Sequence, residues 1–333
     1  MLSYDGRVIR TSSLVASLRL LPALGAAVLL LPLFAESVVA QQPATPLQTL
    51  KAGIERTTTS VKATWGIYVK SIETGEEIAI EADRQMDTMS VIKIPLMVEV
   101  FEQIKAGKFA LADRYTVTAE DMRPGTGVIR SLDPGAVVTI KDLITLMIIV
   151  SDNTATDLMY KKVGGVEAVN RRMEALGLKS TRAPGPASDW FAALRAAPSA
   201  DAFHREAKTP FGLSTPHEIG MLLEQMARKT LVSPQASEQM IQILSGQLYR
   251  SRIPRYINGY RIPHKTGDFL PYIANDVGLL LADGRTIVIS IFTANHFGDR
   301  DRIEEAIGDI SRQIADYFTY RRFSPSLAPA SAR

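Results

Sequence analysis

Strand patterns occupy the two ends of this chain and helical patterns occupy its middle, and this order restricts the fold more than any other feature. Residues 64–72 and 77–80 alternate around a Gly-containing turn, as the strands of a β-hairpin do. Further strand patterns cover residues 260–265, 276–281 and 286–292. We therefore predict one antiparallel sheet that is assembled from N-terminal and C-terminal segments.

Helical spacing of apolar residues dominates the chain between these strands. The predicted helices cover residues 47–59, 91–103, 140–150, 153–162, 166–176 and 216–226, and a final helix covers residues 302–320. The fold class is therefore α+β: an antiparallel sheet flanked by N- and C-terminal helices, plus an inserted all-helical domain. We expect a single catalytic domain over residues 41–333, with a sheet subdomain at about 47–85 and 250–320 and a helical subdomain at about 86–249.

The N-terminus has the pattern of a secretory signal peptide. Arg7, Arg10 and Arg19 precede an apolar run over residues 20–35, and small residues up to Ala40 suit a cleavage site. A membrane anchor is the alternative, but the run is shorter than the ~20 apolar residues that a spanning helix needs. We predict cleavage after Ala40 and a secreted or periplasmic protein without stable membrane insertion.

Composition excludes several classes of function. The formal charge of +3 is spread along the 333 residues without a basic block, so nothing indicates nucleic acid as a partner. The chain contains no cysteine, so a disulfide, a thiol nucleophile and a thiolate metal site are all excluded. His204, His217, His264 and His296 show no H-x-H spacing, and we expect neither a metal nor a cofactor.

Ser90 and Lys93 form an S-x-x-K motif inside an apolar helical run. Their i, i+3 spacing places the hydroxyl and the amine on the same face of the helix. In a partly buried cleft the charged form of the lysine is disfavoured, and the amine can then accept a proton from the serine. Alternatively, Lys93 is a lysine whose stem is buried while its amine reaches solvent.

Two further short motifs lie elsewhere in the predicted fold. Ser151, Asp152 and Asn153 directly follow an apolar helix, and Ser151 or Asn153 would also serve as an ordinary cap for the next helix. Lys265, Thr266 and Gly267 end a predicted strand, where a lysine followed by a glycine turn is common. Each motif alone says little about function.

Together, in the order S-x-x-K, S-D-N and K-T-G, the three motifs resemble those of class A β-lactamases and penicillin-binding proteins. The resemblance extends over about residues 47–320. It is carried by the blocks MSVIKIPLMVEVFEQI, RSLDPGAVVTIKDLITLMIIVSDNTATDL and HKTGDFLPYIANDVGLLLADGRTIVISIFT.

The resemblance implies a serine acyl-transfer site for a β-lactam or a D-alanyl-D-alanine peptide. Ser90 is the expected nucleophile, Lys93 its proton acceptor, and Ser151 the residue that passes a proton to the departing nitrogen. Asn153 would bind the substrate's side-chain amide. Lys265 and Thr266 would bind the substrate carboxylate, beside the open strand edge that Gly267 leaves. The backbone N–H groups of Ser90 and Asp268 would form the oxyanion hole.

Two departures from the class A pattern bear on the steps of deacylation and substrate binding. The E-x-x-L-N element, whose glutamate activates the deacylating water, is absent, and Asp201 or Glu206 is a candidate replacement. Alternatively, each of these two carboxylates is a solvated loop charge. Asp268 places a carboxylate next to the expected position of the substrate's own carboxylate. This repulsion disfavours binding unless Lys265, Arg252 or Arg255 offsets it. Alternatively, Asp268 points away from the ligand and helps to shape the loop.

We predict an exported, monomeric β-lactamase, with a penicillin-binding D-alanyl-D-alanine peptidase that deacylates slowly as the alternative. A non-catalytic binding module on the same fold is a second alternative, but such a module would not need Lys93. A Ser-His-Asp hydrolase is not supported because no G-x-S-x-G motif is present.

Overall fold

A five-stranded antiparallel sheet organises the protein, as predicted. The computed structural model describes residues 44–207, 209–282 and 284–320, all of which belong to one compact unit, Ala44–Arg333. The strands of this sheet are β1 (Thr64–Ser71), β2 (Glu77–Ile80), β7 (His264–Phe269), β8 (Ile273–Ala282) and β9 (Arg285–Ala294). Their order is β2-β1-β9-β8-β7, so N- and C-terminal segments share one sheet. The predicted signal peptide, residues 1–40, lies outside the described residues.

The terminal helices α1 (Pro46–Ser60) and α10 (Arg300–Tyr320) pack against one face of the sheet. Side chains alternate along each strand, so successive residues of β1 enter different cores. Ile67 and Val69 join a cluster with residues of α1 and α10, whereas Tyr68 joins the larger cluster on the opposite face. The sheet thereby separates two hydrophobic cores.

The segment between β2 and β7 is mainly helical. Its helices are α2 (Lys93–Lys105), α3 (Ile140–Ile149), α4 (Asn153–Val163), α5 (Val166–Ala175), α6 (Ala187–Ala196), α7 (Ala200–Ala202), α8 (Pro216–Ala227) and α9 (Pro234–Leu244). Two short ribbons also lie there, formed by β3 (Met86–Asp87) with β6 (Leu213–Ser214) and by β4 (Arg114–Thr116) with β5 (Val137–Thr139). The inserted region is therefore helical with two small β-ribbons, and its boundaries as a subdomain stay a prediction.

The structure differs from the sequence prediction at several elements. The predicted strand over residues 260–265 begins later and runs on through the K-T-G motif as β7. Helices α6 and α9 had no counterpart among the predicted helices. Helix α9 has a normal start, since Ser233 accepts from the Ala236 N–H and Pro234 is its first residue, so its capping signal was present in the sequence.

No helix within the described ranges is both long enough and apolar enough to cross a bilayer.

Candidate active site

Ser90 lies in a 3-10 turn, Met89–Ile92, that leads directly into α2. A 3-10 turn has three residues per turn, so Ser90 and Lys93 lie one above the other, and the Lys93 backbone N–H donates to the Ser90 carbonyl. Met89 has a left-handed φ of 46°, and its N–H donates to Asp87 Oδ1 at 2.8 Å. The Asp87 carboxylate thus supports an unfavourable backbone conformation next to Ser90.

Lys93 is completely buried, and its Nζ has three oxygen acceptors. It donates to the Ser151 carbonyl at 2.7 Å, to Ser151 Oγ at 3.0 Å and to Asn153 Oδ1 at 2.9 Å. Burial holds the pKa of Lys93 well below its usual value, and the positive charge of Lys265 lowers it further. The amine therefore does not reach solvent, and the alternative of a solvent-reaching lysine is wrong.

The loop Ser151-Asp152-Asn153 crosses from α3 to α4. Ser151 has a left-handed φ of 57°, and Asp152 is the N-cap of α4, since its Oδ1 accepts from the Ala155 N–H at 2.9 Å. The alternative in which Ser151 or Asn153 caps this helix is therefore wrong. Both side chains instead turn toward Lys93.

Asp152 also ties this loop to the preceding one. Its Oδ2 accepts from the N–H groups of Val128 at 2.7 Å and Ile129 at 2.9 Å. Gly127, with a φ of 119°, lies against this carboxylate, and a Cβ at that position would overlap it. Sequence reasoning gave Asp152 no role, although a carboxylate between two polar residues before a helix is a recognisable capping signal.

The K-T-G motif lies in β7, which is an edge strand of the sheet. Lys265 Nζ is buried and donates to Ser151 Oγ at 3.1 Å and to the Thr266 carbonyl at 2.7 Å. Burial lowers the pKa of Lys265 to about 8, against the opposing charges of Asp268 and Asp276. Ser151 Oγ is therefore in contact with both lysines.

Gly267 lies where β7 passes closest to the 3-10 turn. A Cβ on Gly267 would lie 3.2 Å from the Ser90 backbone nitrogen and would overlap the Thr88 carbonyl. Only glycine fits this close approach of β7 to the turn that carries Ser90.

Asn153 closes the opposite side of the cleft. Its Nδ2 donates to the Pro124 carbonyl at 3.0 Å, and its Oδ1 accepts from Lys93. Gly125 lies between Asn153 and the ring of Phe191 on α6, with no room for a Cβ. The sequence prediction did not include Phe191, because helix α6 was not recognised.

The structure thus brings Lys93, Ser151, Asn153 and Lys265 into one hydrogen-bonded cluster beside Ser90 and the Gly267 edge. Two predicted residues remain. The Thr266 hydroxyl is buried and has no hydrogen-bond partner among the described residues. Asp268 directs its carboxylate to the buried Arg252 guanidinium, which also contacts Glu304 at 3.0 Å. Arg252 therefore supplies the offsetting charge that the sequence suggested.

The protein-family comparison gives an independent result. The model of the "Beta-lactamase enzyme family" matches residues 49–318. The chain belongs to the β-lactamase enzyme family. It is thereby a class A-like serine hydrolase.

Relatives within the β-lactamase enzyme family are distant in sequence. β-Lactamase VEB-1 of Pseudomonas aeruginosa is 23% identical over 286 residues, which cover 80% of this chain and 89% of the relative. A β-lactamase of Streptomyces albus G is 26% identical over 275 residues, covering 80% and 82%.

Solved structures show the same fold. A crystal structure of a β-lactamase from Sphaerobacter thermophilus has a TM-score of 0.69 at 30% identity, covering 80% of this chain and 95% of that one. An acyl-enzyme complex of a PBP-A mutant with penicillin G has a TM-score of 0.71 at 22% identity, covering 84% and 99%.

The two candidate deacylating carboxylates are both at the surface. Asp201 pairs with Arg205 at 2.8 Å, with about half of each side chain exposed, and Glu206 is exposed in a π-helical turn, Phe203–Ala207. In the described ranges, neither carboxylate hydrogen-bonds to Lys93, Ser151 or Asn153. The Phe211 ring is centred 6.0 Å from Lys93 Nζ.

Proposed function

We propose that this protein is an exported serine β-lactamase in which Ser90 forms an acyl-enzyme with the β-lactam carbonyl. The observation that carries the proposal is the buried Lys93 amine on the turn that carries Ser90, because burial lowers its pKa and favours loss of one of the three protons that it donates in the resting site. A neutral amine can accept a proton, whereas an ordinary lysine at neutral pH cannot.

Acylation begins when Ser90 Oγ attacks the lactam carbonyl and its proton passes to Lys93. We propose that the oxygen that develops negative charge accepts from the backbone N–H groups of Ser90 and Asp268. The close approach of Gly267 to the turn that carries Ser90 supports this pairing.

The lactam C–N bond then breaks and the nitrogen needs a proton. Ser151 Oγ supplies it, because it contacts both Lys93 at 3.0 Å and Lys265 at 3.1 Å and can be reprotonated from either. Lys265 and Thr266 bind the substrate carboxylate, and Asn153 binds its side-chain amide. Water finally hydrolyses the ester and restores Ser90.

A slowly deacylating D-alanyl-D-alanine peptidase is the second candidate. It is favoured by the surface position of Asp201 and Glu206, since neither side chain is hydrogen-bonded to the lysine-serine cluster in the described part of the chain. We propose that acylation is common to both functions and that the rate of ester hydrolysis separates them.

Export and a monomeric state complete the proposal. Export rests on the N-terminal sequence pattern that ends at Ala40. A role in β-lactam resistance would follow from export and turnover together.

The test is the consumption of a penicillin and a cephalosporin by the mature protein and by its Ser90→Ala variant. Loss of consumption in the variant, with unchanged thermal stability, is the expected result. Equal consumption by both proteins would refute the proposal. A covalent adduct that never clears would support the peptidase.

A further inference from the structure

The segment that follows α9, residues 246–249, lies against the C-terminal end of α3. A Cβ on Gly246 would be 3.0 Å from the Cγ2 of Ile149, so this segment is in close contact with the helix. Helix α3 ends at Ile149, two residues before Ser151. The last carbonyl groups of a helix have no partner within the helix, so they need donors from elsewhere in the protein. This segment supplies such donors.

Three consecutive carbonyl groups at the end of α3 accept hydrogen bonds from three consecutive residues of the segment. The donor and acceptor pairs are Gln247 Nε2 with the Ile148 carbonyl at 2.8 Å, the Leu248 N–H with the Ile149 carbonyl at 3.1 Å, and the Tyr249 hydroxyl with the Val150 carbonyl at 3.3 Å. Helix α3 is therefore capped by a segment about 100 residues further along the chain.

Gln247 uses both polar atoms of its side-chain amide. Its Nε2 donates to α3, and its Oε1 accepts from the Tyr249 N–H at 3.0 Å. Only 3% of the residue is exposed, and a buried polar group is costly to leave without its partner. An ionised glutamate would lack the donor, and methionine would lack both groups. Gln247 therefore holds Tyr249 in a fixed position relative to α3.

Ser151 is the residue whose backbone these contacts hold. Its φ of 57° is a left-handed conformation that is unfavourable for serine, and such a conformation persists only where its surroundings hold it. On its N-terminal side, the Val150 carbonyl accepts from the Tyr249 hydroxyl. On its C-terminal side, the Ser151 carbonyl accepts from Lys93 Nζ and from Thr126 Oγ1, both at 2.7 Å. Because peptide groups are planar, holding both of them sets the φ and ψ of Ser151 and the direction of its side chain.

We propose that Gln247 and Tyr249 are positioning residues for Ser151, which keep its Oγ in place for proton transfer to the departing lactam nitrogen. In that step Ser151 Oγ gives its proton to the nitrogen as the C–N bond breaks, and it recovers a proton from Lys93, 3.0 Å away, or from Lys265, 3.1 Å away. Displacement of Ser151 slows this step, whereas the preceding binding of the ligand does not require the proton. The inference rests on the proposed function, in which Ser151 is the proton donor.

The test separates the rate of acylation from the affinity for the ligand. The acylation rate constant at saturating benzylpenicillin is measured by quenched-flow mass spectrometry in the unmodified protein, in Gln247→Met and in Tyr249→Phe. The equilibrium affinity is measured by calorimetry after adding each change to Ser90→Ala, which cannot be acylated. We expect the rate constant to fall about tenfold or more in Gln247→Met and about threefold or more in Tyr249→Phe, while each affinity changes less than about twofold.

Gln242→Met is the matched control, since it makes the same substitution at an exposed glutamine of α9 that accepts from Arg261 Nη2 at 2.8 Å. It is expected to leave both quantities unchanged. An unchanged rate constant in Gln247→Met, an affinity loss as large as the loss in rate, or an equal loss in rate in Gln242→Met would overturn the proposal. Should Gln247→Met fail to fold, Tyr249→Phe, which changes an exposed side chain, decides by the same criteria.

Hydrogen exchange tests the positioning without any reaction of a ligand. The Asp152 N–H donates to the Leu146 carbonyl at 3.0 Å, at the end of α3, and should exchange faster in Gln247→Met than in Gln242→Met. A Ser90 adduct in the unmodified protein, with exchange and acylation rate unchanged in Gln247→Met, refutes this inference alone. Faster exchange in that variant, without any adduct in the unmodified protein, refutes acyl transfer and leaves the anchoring of the S-D-N loop standing. Unchanged exchange without any adduct refutes both.

Discussion

Replacing Asp152 by alanine is expected to destabilise the protein by about 3–5 kcal/mol, because one buried carboxylate supports two loops and a helix start. Its oxygens accept three backbone N–H groups, from Val128, Ile129 and Ala155, at 2.7 to 2.9 Å. A hydrogen bond to a charged group contributes about 1.5–3 kcal/mol, and the three are not additive because they share one group. The expected loss is a large part of the roughly 5–15 kcal/mol typical of a whole domain.

The same change should also slow acylation. The Thr126 hydroxyl donates to the Ser151 carbonyl at 2.7 Å, and the Asn153 N–H donates to the Thr126 carbonyl at 3.1 Å. Loosening of residues 126–129 therefore disturbs both site residues of the S-D-N loop. We expect a reduction of about tenfold or more in the rate of Ser90 labelling, in line with a cost of about 1.4 kcal/mol in positioning.

Urea unfolding followed by circular dichroism measures the effect, with Asp133→Ala as the matched control. Asp133 is an exposed aspartate in the loop before β5. The control should stay within about 0.5 kcal/mol of the unmodified protein. A loss below about 1 kcal/mol for Asp152→Ala, with an unchanged slope against urea, would refute the assigned role of these hydrogen bonds.

Three further predictions concern titrating groups. Lys93→Ala should slow Ser90 labelling by about 10²–10⁴-fold. Lys93→Arg should be equally slow, because a guanidinium does not accept the serine proton. A labelling rate in either variant close to that of the unmodified protein would contradict the role of Lys93 as the base. The pKa of Lys265 is about 8, so the rate of acylation by a carboxylate-bearing penicillin should fall as the pH rises above about 8. In Lys265→Arg this fall in rate should move above about pH 10, because a guanidinium stays charged there. A fall at the same pH in the variant would assign it to another group. Burial raises the pKa of Asp87 from 3.8 to about 6, although hydrogen bonds from three backbone N–H groups act in the opposite direction. Between about pH 6 and pH 4 the folded state therefore binds a proton that the unfolded state does not. The free energy of unfolding should rise as the pH falls through this range. Relative to Asp87→Asn, the unmodified protein should therefore gain on the order of 2 kcal/mol between about pH 7 and pH 4.5 in urea unfolding. The absence of a relative gain would contradict the raised pKa.

The sequence predicted the sheet and the order of its segments because alternation and turn residues are local signals. The hairpin of β1 and β2 and the strands β8 and β9 follow from such patterns. The strand that carries Lys265 was predicted several residues too early, because a glycine usually ends a strand. In β7 the strand continues through Gly267, which is needed for a tertiary contact and not for a turn. Gly267 is required by the 3-10 turn that it faces, and that turn belongs to a distant part of the chain.

The cluster of Lys93, Ser151 and Lys265 could be predicted only through the family resemblance, since no local pattern brings three distant segments together. The partner of Asp268 could not be predicted from local patterns either. Arg252 was one of several candidate cations, and the structure shows it between Asp268 and the buried Glu304 of α10. The sequence also did not reveal that Asp201 and Glu206 are separate from the cluster. In this part of the chain Trp190 packs edge-on against Phe203 and Phe269, and these contacts leave no periodic pattern in the sequence.

Intact-protein mass spectrometry of the mature protein, mixed with a penicillin and sampled over time, tests the central claim most directly. The account predicts an adduct of one penicillin that maps to Ser90, that is absent from Ser90→Ala, and that clears as the antibiotic is consumed. An adduct on another residue, or consumption of the antibiotic by Ser90→Ala at the rate of the unmodified protein, would contradict it.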